Sequence, residues 1–159
     1  MARELNTSPP RTRLFLVDDE PGVLVGLRFL FGLAPNLEVC GEAETEREAL
    51  EGILAQRPHL AVVDLILKQG NGLGLIKQLR QRCPALKILV FSLHDEEHFA
   101  AAAFDAGAHG YIVKDDDAER ILEAVKVVME GGHYLSKQIA ATAPGLVPRT
   151  RPHGRTRTP

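Results

Sequence analysis

The stretch Leu14-Phe15-Leu16-Val17-Asp18-Asp19-Glu20-Pro21-Gly22 runs four apolar residues straight into three carboxylates and then a proline and a glycine. An apolar run this short and this uniform, closed by turn-forming residues, is the pattern of a strand buried on both faces. Pro21 suits the first turn of a helix, where its missing N–H would have no partner anyway. Val23, Leu24, Leu27, Leu30 and Phe31 then follow at helical spacing. The carboxylates therefore stand where a buried strand gives way to a helix.

The same alternation recurs four more times. Apolar runs at Leu37 to Gly41, Leu60 to Asp64, Lys87 to Ser92 and Gly110 to Lys114 read as buried strands. A second helix is expected from about Thr45 to Gln56, with Thr45 and Glu48 spaced as a capping box. A third follows Asn71 with Leu73, Ile76 and Leu79 on one face and ends before Pro84. The fourth, Asp95 to Ala106, is rich in alanine and closed by Gly107. The fifth, Asp117 to Glu130, aligns Ile121, Leu122, Val125, Val128 and Met129 before Gly131-Gly132. Strict alternation of buried strands and helices predicts an α/β fold, a doubly wound five-stranded parallel sheet joined by right-handed crossovers. The domain is expected over residues 13–131, between a flexible stretch 1–12 and a flexible Arg/Pro/Thr-rich tail 132–159.

Composition limits the alternatives. At 159 residues, with 45% hydrophobic and 25% charged, the chain has the size and balance of one globular domain. No apolar run approaches the roughly 18 residues of a membrane-spanning helix, and residues 1–13 lack the apolar centre of a signal peptide. A cytoplasmic location without membrane attachment is the expectation. Cys40 and Cys83 have no metal-ligand spacing and read as reduced, buried thiols. The net charge of -2 conceals a division: residues 145–159 carry Arg149, Arg151, Arg155 and Arg157 and no acid, which leaves -6 on residues 1–144. An acidic body is a poor non-specific DNA binder.

In a parallel sheet, ligands bind beyond the carboxyl ends of the strands. Those ends carry Asp18 and Asp19 on the first strand, Asp64 on the third, Ser92 on the fourth and Lys114 on the fifth. Three carboxylates on one rim repel each other and raise one another's pKa unless a cation joins them. A hard, oxygen-seeking ion such as Mg²⁺ fits that set.

Val17-Asp18-Asp19-Glu20, Val63-Asp64-Leu65, Phe91-Ser92 and Tyr111-Ile112-Val113-Lys114 together resemble the receiver domain of two-component response regulators, over roughly residues 12–142. The resemblance implies a CheY-like, flavodoxin-like (βα)5 fold with strand order 2-1-3-4-5. It also implies that Asp64 accepts a phosphoryl group from a sensor histidine kinase or phosphotransfer protein. Asp19 and Asp64 would hold Mg²⁺ directly, Asp18 directly or through water, and the Ile66 backbone carbonyl would complete the protein ligands. Lys114 would pair with the phosphoryl oxygens, Ser92 would hydrogen-bond one of them, and Ser92 with Tyr111 would form the switch. A domain of this kind is not an enzyme in its own right, beyond assisting its own phosphorylation and dephosphorylation. A homodimer formed on phosphorylation is a further implication.

DLILKQGNGLGLIKQL (64–79), SLHDE (92–96) and GGHYLS (131–136) most resemble receivers of the NarL/FixJ class. Leu67-Lys68 stands where many receivers have Met-Pro, and Asp115 follows Lys114 where many have proline. A cis peptide there costs about 3 kcal/mol or more without proline, which leaves the geometry of that loop open. Ile66 and His94, two residues past Asp64 and Ser92, are placed to limit access of water and predict a moderately long-lived phosphoryl state. Nothing after Gly132 has the length or periodicity of a recognition helix, so DNA would be reached only through an output domain that this chain lacks.

Other chemistries fit less well. GNGLGL (70–75) misses the GxGxxG spacing of a dinucleotide loop, and HDEEH (94–98) has Asp where a zinc protease needs Glu. His109 and His133 read as surface or capping residues. An aspartyl-phosphate hydrolase wants a D-x-D pattern after the first strand, which Asp18-Asp19-Glu20 does not supply. A receiver-like interaction module that works without phosphate keeps the fold and discards the chemistry.

Overall fold

A computed structural model describes residues 9–148 of the chain. Six strands and six helices alternate: β1 (Thr12–Val17), α1 (Pro21–Gly32), β2 (Leu37–Ala43), α2 (Glu46–Gln56), β3 (Leu60–Val63), α3 (Gly72–Arg82), β4 (Lys87–Ser92), α4 (Glu97–Ala106), β5 (Gly110–Val113), α5 (Ala118–Met129), β6 (Tyr134–Leu135) and α6 (Lys137–Ala140). The strands form one parallel sheet in the order β2-β1-β3-β4-β5-β6. This is the doubly wound CheY-like fold, with a sixth strand added at the β5 edge.

Pleating explains the unbroken apolar strands. In β1, Phe15 and Val17 point to one face and Leu14 and Leu16 to the other, and all four are buried. Phe15 and Val17 pack under α2, α3 and α4 with Ile53, Leu75, Ile76, Leu79 and Ala103. Leu14 and Leu16 pack under α1 and α5 with Leu24, Leu27, Phe31, Ile121 and Val125. Full burial of each Leu, Ile or Phe stabilises by about 1.5–3 kcal/mol, so a polar residue at any of these positions would break the layer. The β1–β2 register shifts between Leu14 and Phe15, which leaves Cys40 as the bulged residue. The Phe15 ring then lies where a Cβ on Gly41 or Gly52 would come within 2.6 Å of it, so both neighbours stay glycine.

The helix ends follow local chemistry. Thr45 accepts a hydrogen bond from the Glu48 N–H at 3.2 Å, while the returning Glu48 carboxylate accepts from the Glu44 N–H at 3.4 Å, one residue earlier than a standard box. Asn71 caps α3 and Asp117 caps α5. Gly107 closes α4 with φ of 113°, a left-handed conformation that costs glycine nothing.

Two expectations change. The thiols of Cys40 and Cys83 are free but only half-buried. Where the sequence suggests a flexible tail from residue 132, Tyr134–Leu135 extends the sheet and Lys137–Ala140 is helical, because Leu135 and Ile139 bury against the core. Residues 1–8 and the four arginines 149, 151, 155 and 157 lie outside the described residues. Among the described residues no helix is long and apolar enough to cross a membrane.

Candidate functional site

The order β2-β1-β3 means that the chain leaves β1 to one side for β2 and returns to the other for β3. The crevice between β1 and β3 is therefore the switch point of the sheet, the place where an α/β fold exposes backbone ends to a ligand. Asp18 and Asp19 extend from β1 into it and Asp64 extends from β3, with the Asp64 N–H held by the Val17 carbonyl at 2.9 Å. One carboxylate oxygen from each of the three can be chosen so that all lie within 4.8 Å of one another.

Each carboxylate is aimed by a backbone donor. Asp18 accepts from the Glu20 N–H at 2.9 Å, Asp64 from the Ile66 N–H at 3.3 Å and Asp19 from the Lys68 N–H at 2.8 Å. Lys114, at the end of β5, reaches back across the rim and donates to Asp18 Oδ2 at 2.7 Å and Asp64 Oδ2 at 3.0 Å. Asp18 is 2% exposed and Asp64 7%, whereas Asp19 is only half-buried. The buried pair faces the ammonium and Asp19 stands at the mouth.

The electrostatics follow from burial. Loss of water raises the Asp64 pKa above its ordinary value; Lys114 pulls it down and Asp18 pushes it up. For Lys114, burial pulls the pKa down, but hydrogen bonds to Asp18 and Asp64 outweigh it, and the ammonium is held more firmly than usual. One ammonium against three carboxylates leaves the rim short of positive charge. An all-oxygen donor set with one partly exposed member is what a divalent cation such as Mg²⁺ requires, so these residues fit such an ion.

A cleft of about 190 Å³ opens beside the acids, lined by Asp19, Glu20, Asp64, Ile66, Ser92, Leu93 and His94. A larger cleft of about 670 Å³, between α2 and the loop after β3, is lined by Glu46, Gln69 and Gln78 among others and gathers no such convergence of acid and ammonium. Ser92 is fully buried at the back of the smaller cleft, its Oγ accepting from the His94 N–H at 3.3 Å and its carbonyl from the Lys114 N–H at 2.7 Å. Tyr111 is 0% exposed and its hydroxyl donates to the His94 carbonyl at 2.7 Å. Burial pushes its pKa up to about 12.

All seven residues singled out in the sequence gather here, with Ile66 on the wall of the cleft. Others escaped notice. Gly72 opens α3 directly beneath the acids, and a Cβ there would fall 2.2 Å from the Asp64 carbonyl. Glu46 ties α2 to the loop after β3, accepting from the Asn71 N–H at 2.8 Å and from Gln78 at 2.9 Å. The Gly in GNGLGL was the visible signal for the first; the second joins residues too far apart in sequence to signal anything. Among the described residues no peptide bond is cis, the Lys114–Asp115 bond included.

The family described as the response regulator receiver domain matches residues 14–126. The chain belongs to that family. The receiver is 40% identical over 129 residues to the DNA-binding transcriptional activator DevR/DosR of Mycobacterium tuberculosis, covering 81% of this chain and 59% of the relative. It is 31% identical to the transcriptional regulatory protein DegU of Brevibacillus brevis, covering 81% of this chain and 55% of that one. The chain thus spans a little over half the length of these curated relatives. Among solved structures, a LuxR-family two-component response regulator from an Aurantimonas species matches with a TM-score of 0.79 at 34% identity, covering 82% of this chain and 94% of the other. The receiver domain of the response regulator NarL from Mycobacterium tuberculosis matches with a TM-score of 0.74 at 29% identity, covering 77% and 99%. The protein is a response regulator receiver of the NarL/LuxR type.

Proposed function

We propose that Asp64 is the phosphoacceptor of this receiver and that its donor is the phosphohistidine of a sensor kinase or phosphotransfer protein. An Asp64 carboxylate oxygen attacks phosphorus, the P–N bond breaks, the imidazole leaves with the electron pair, and an acyl phosphate remains. Asp18, Asp19, Asp64 and the Ile66 carbonyl would hold Mg²⁺, which when bound supplies positive charge against the carboxylates and the incoming phosphoryl oxygens. Phosphoryl transfer needs placement and charge neutralisation more than covalent help. Lys114 supplies a fixed positive charge, and Ser92 a hydroxyl for one phosphoryl oxygen.

The observation that carries the reading is the pair of ion-pair hydrogen bonds that the Lys114 ammonium donates to Asp18 and Asp64. A phosphoryl group adds about -1.5 to -2 charge and offers the ammonium and Ser92 new acceptors. Ser92 moving toward it would change the surroundings of Tyr111, whose hydroxyl ends at His94 beside the cleft, and through Tyr111 the α4–β5–α5 surface. Phosphorylation then switches an interaction or dimerisation surface. DevR/DosR is named as a DNA-binding activator; DNA would be reached here only through an output domain. Ile66 and His94 flank the approach of water to Asp64 and favour a moderately long-lived phosphoryl state.

Incubation with Mg²⁺ and acetyl phosphate is expected to raise the mass by one phosphoryl group, and Asp64→Asn to abolish the gain. An unchanged wild-type mass would refute the proposal. Repeated turnover of added phosphoesters would instead mark a hydrolase.

A further inference from the structure

Ser136 lies far from the acids in sequence and is 0% exposed. Its hydroxyl accepts a hydrogen bond from the Val113 N–H at 2.9 Å and donates one to the Asp116 carboxylate. Its own N–H donates to the Tyr111 carbonyl at 3.0 Å, and the Asp116 N–H returns to the Val113 carbonyl at 3.0 Å. Strand pairing between β5 and β6 ends at Tyr111 and Leu135, so the Val113 N–H lies beyond the ladder and would be an orphan without this serine. Gln138, two residues on, donates to Asp115 at 3.1 Å.

Lys114 sits between the two residues that the Ser136 hydroxyl joins. We infer that Ser136, with Asp116, is a positioning residue for phosphoryl transfer: it fixes the backbone on both sides of Lys114 and so sets where the ammonium meets Asp64. The inference rests on the reading of Asp64 and Lys114 given above. Three facts favour this over simple edge packing. A carboxylate acceptor makes the bond charge-assisted and stronger than a neutral one. The contacts fall on the loop after β5 and not only on the strand. The opposite side of the same loop is held by the bond from the Lys114 N–H to the Ser92 carbonyl at 2.7 Å. The segment 134–140 is thus fastened to the stretch bearing both Tyr111 and Lys114.

The test uses the full chain with Ser136→Ala, Ser136→Thr and Asp116→Asn, the last leaving nothing buried without a partner should Ser136→Ala fold poorly. Initial rates of mass gain with Mg²⁺ and acetyl phosphate are expected to fall by roughly threefold to thirtyfold in Ser136→Ala and Asp116→Asn, the range for contacts one step removed from a coupled group. Ser136→Thr, which keeps the hydroxyl, is expected to stay near wild type. In a Lys114→Ala background, Ser136→Ala should have no further effect, since it acts through the ammonium. Amide exchange of Val113 in metal-free protein should speed up in Ser136→Ala. Wild-type rates in Ser136→Ala and Asp116→Asn, or an equal loss with and without Lys114, would overturn the positioning role alone. A wild-type chain that gains no phosphoryl group would overturn the function proposed for Asp64, and this role with it.

Discussion

Lys114 lies closer to Asp18, at 2.7 Å, than to Asp64, at 3.0 Å, and donates to one oxygen of each. The ammonium therefore bridges β1 and β3 from β5 and is the counter-ion for two buried carboxylates at once. Any positive charge that enters the rim competes with it for the same oxygens.

Lys114→Met should leave those two carboxylates buried without their counter-ion. Removing one member of a buried ion pair costs on the order of 3–5 kcal/mol, and urea unfolding of the metal-free protein at neutral pH should show a loss of that size. Added Mg²⁺ should restore part of it, and should bind more tightly than to wild type in a calorimetric titration. An unchanged urea midpoint would show that the ion pair contributes nothing to the fold.

Asp64→Asn is expected to act in the opposite direction. Burial raises the Asp64 pKa, so the folded state holds the proton more tightly than the unfolded chain does, and ionisation costs stability as pH rises past the ordinary carboxylate range. The variant removes that cost. Metal-free Asp64→Asn should melt above wild type at pH 7. The gain should shrink toward pH 4 and disappear in excess Mg²⁺.

His109 predicts an acid limit unrelated to the site. Its Nδ1 accepts from the Ile88 N–H at 3.0 Å. Burial, then Lys87, Arg80 and His133, lower its pKa to about 4. A histidine depressed in the folded state contributes stability that is present above its unfolded pKa near 6.5 and lost as pH falls toward 4. The slope is at most about 1.4 kcal/mol per pH unit. His109→Asn keeps an acceptor for Ile88 and should flatten the decline in thermal unfolding followed from pH 7 to pH 4.

The rim was legible from sequence because a buried parallel strand announces itself by an apolar run, and the residue that ends the run is by geometry at the ligand-binding edge. Asp18, Asp64, Ser92 and Lys114 all fall at such ends. The sequence suggests that α4 starts at Asp95, but it starts at Glu97, since the His94 backbone is held by the Ser92 and Tyr111 hydroxyls instead of turning into helix. β6 was not legible: two residues carry no period, and what fixes them is Ser136 meeting Val113 and Asp116 across some twenty residues of chain. Glu46 escaped for the same reason. Long-range polar contacts leave no local pattern.

The most direct measurement locates the phosphoryl group itself. After incubation with Mg²⁺ and acetyl phosphate, borohydride reduction converts an aspartyl phosphate to homoserine, which peptide mass mapping assigns to one position. The account predicts homoserine at residue 64, formed only when Mg²⁺ is present and absent from Asp64→Asn. Homoserine at residue 18 or 19 instead, or an equal yield at residue 64 without the metal, would contradict it.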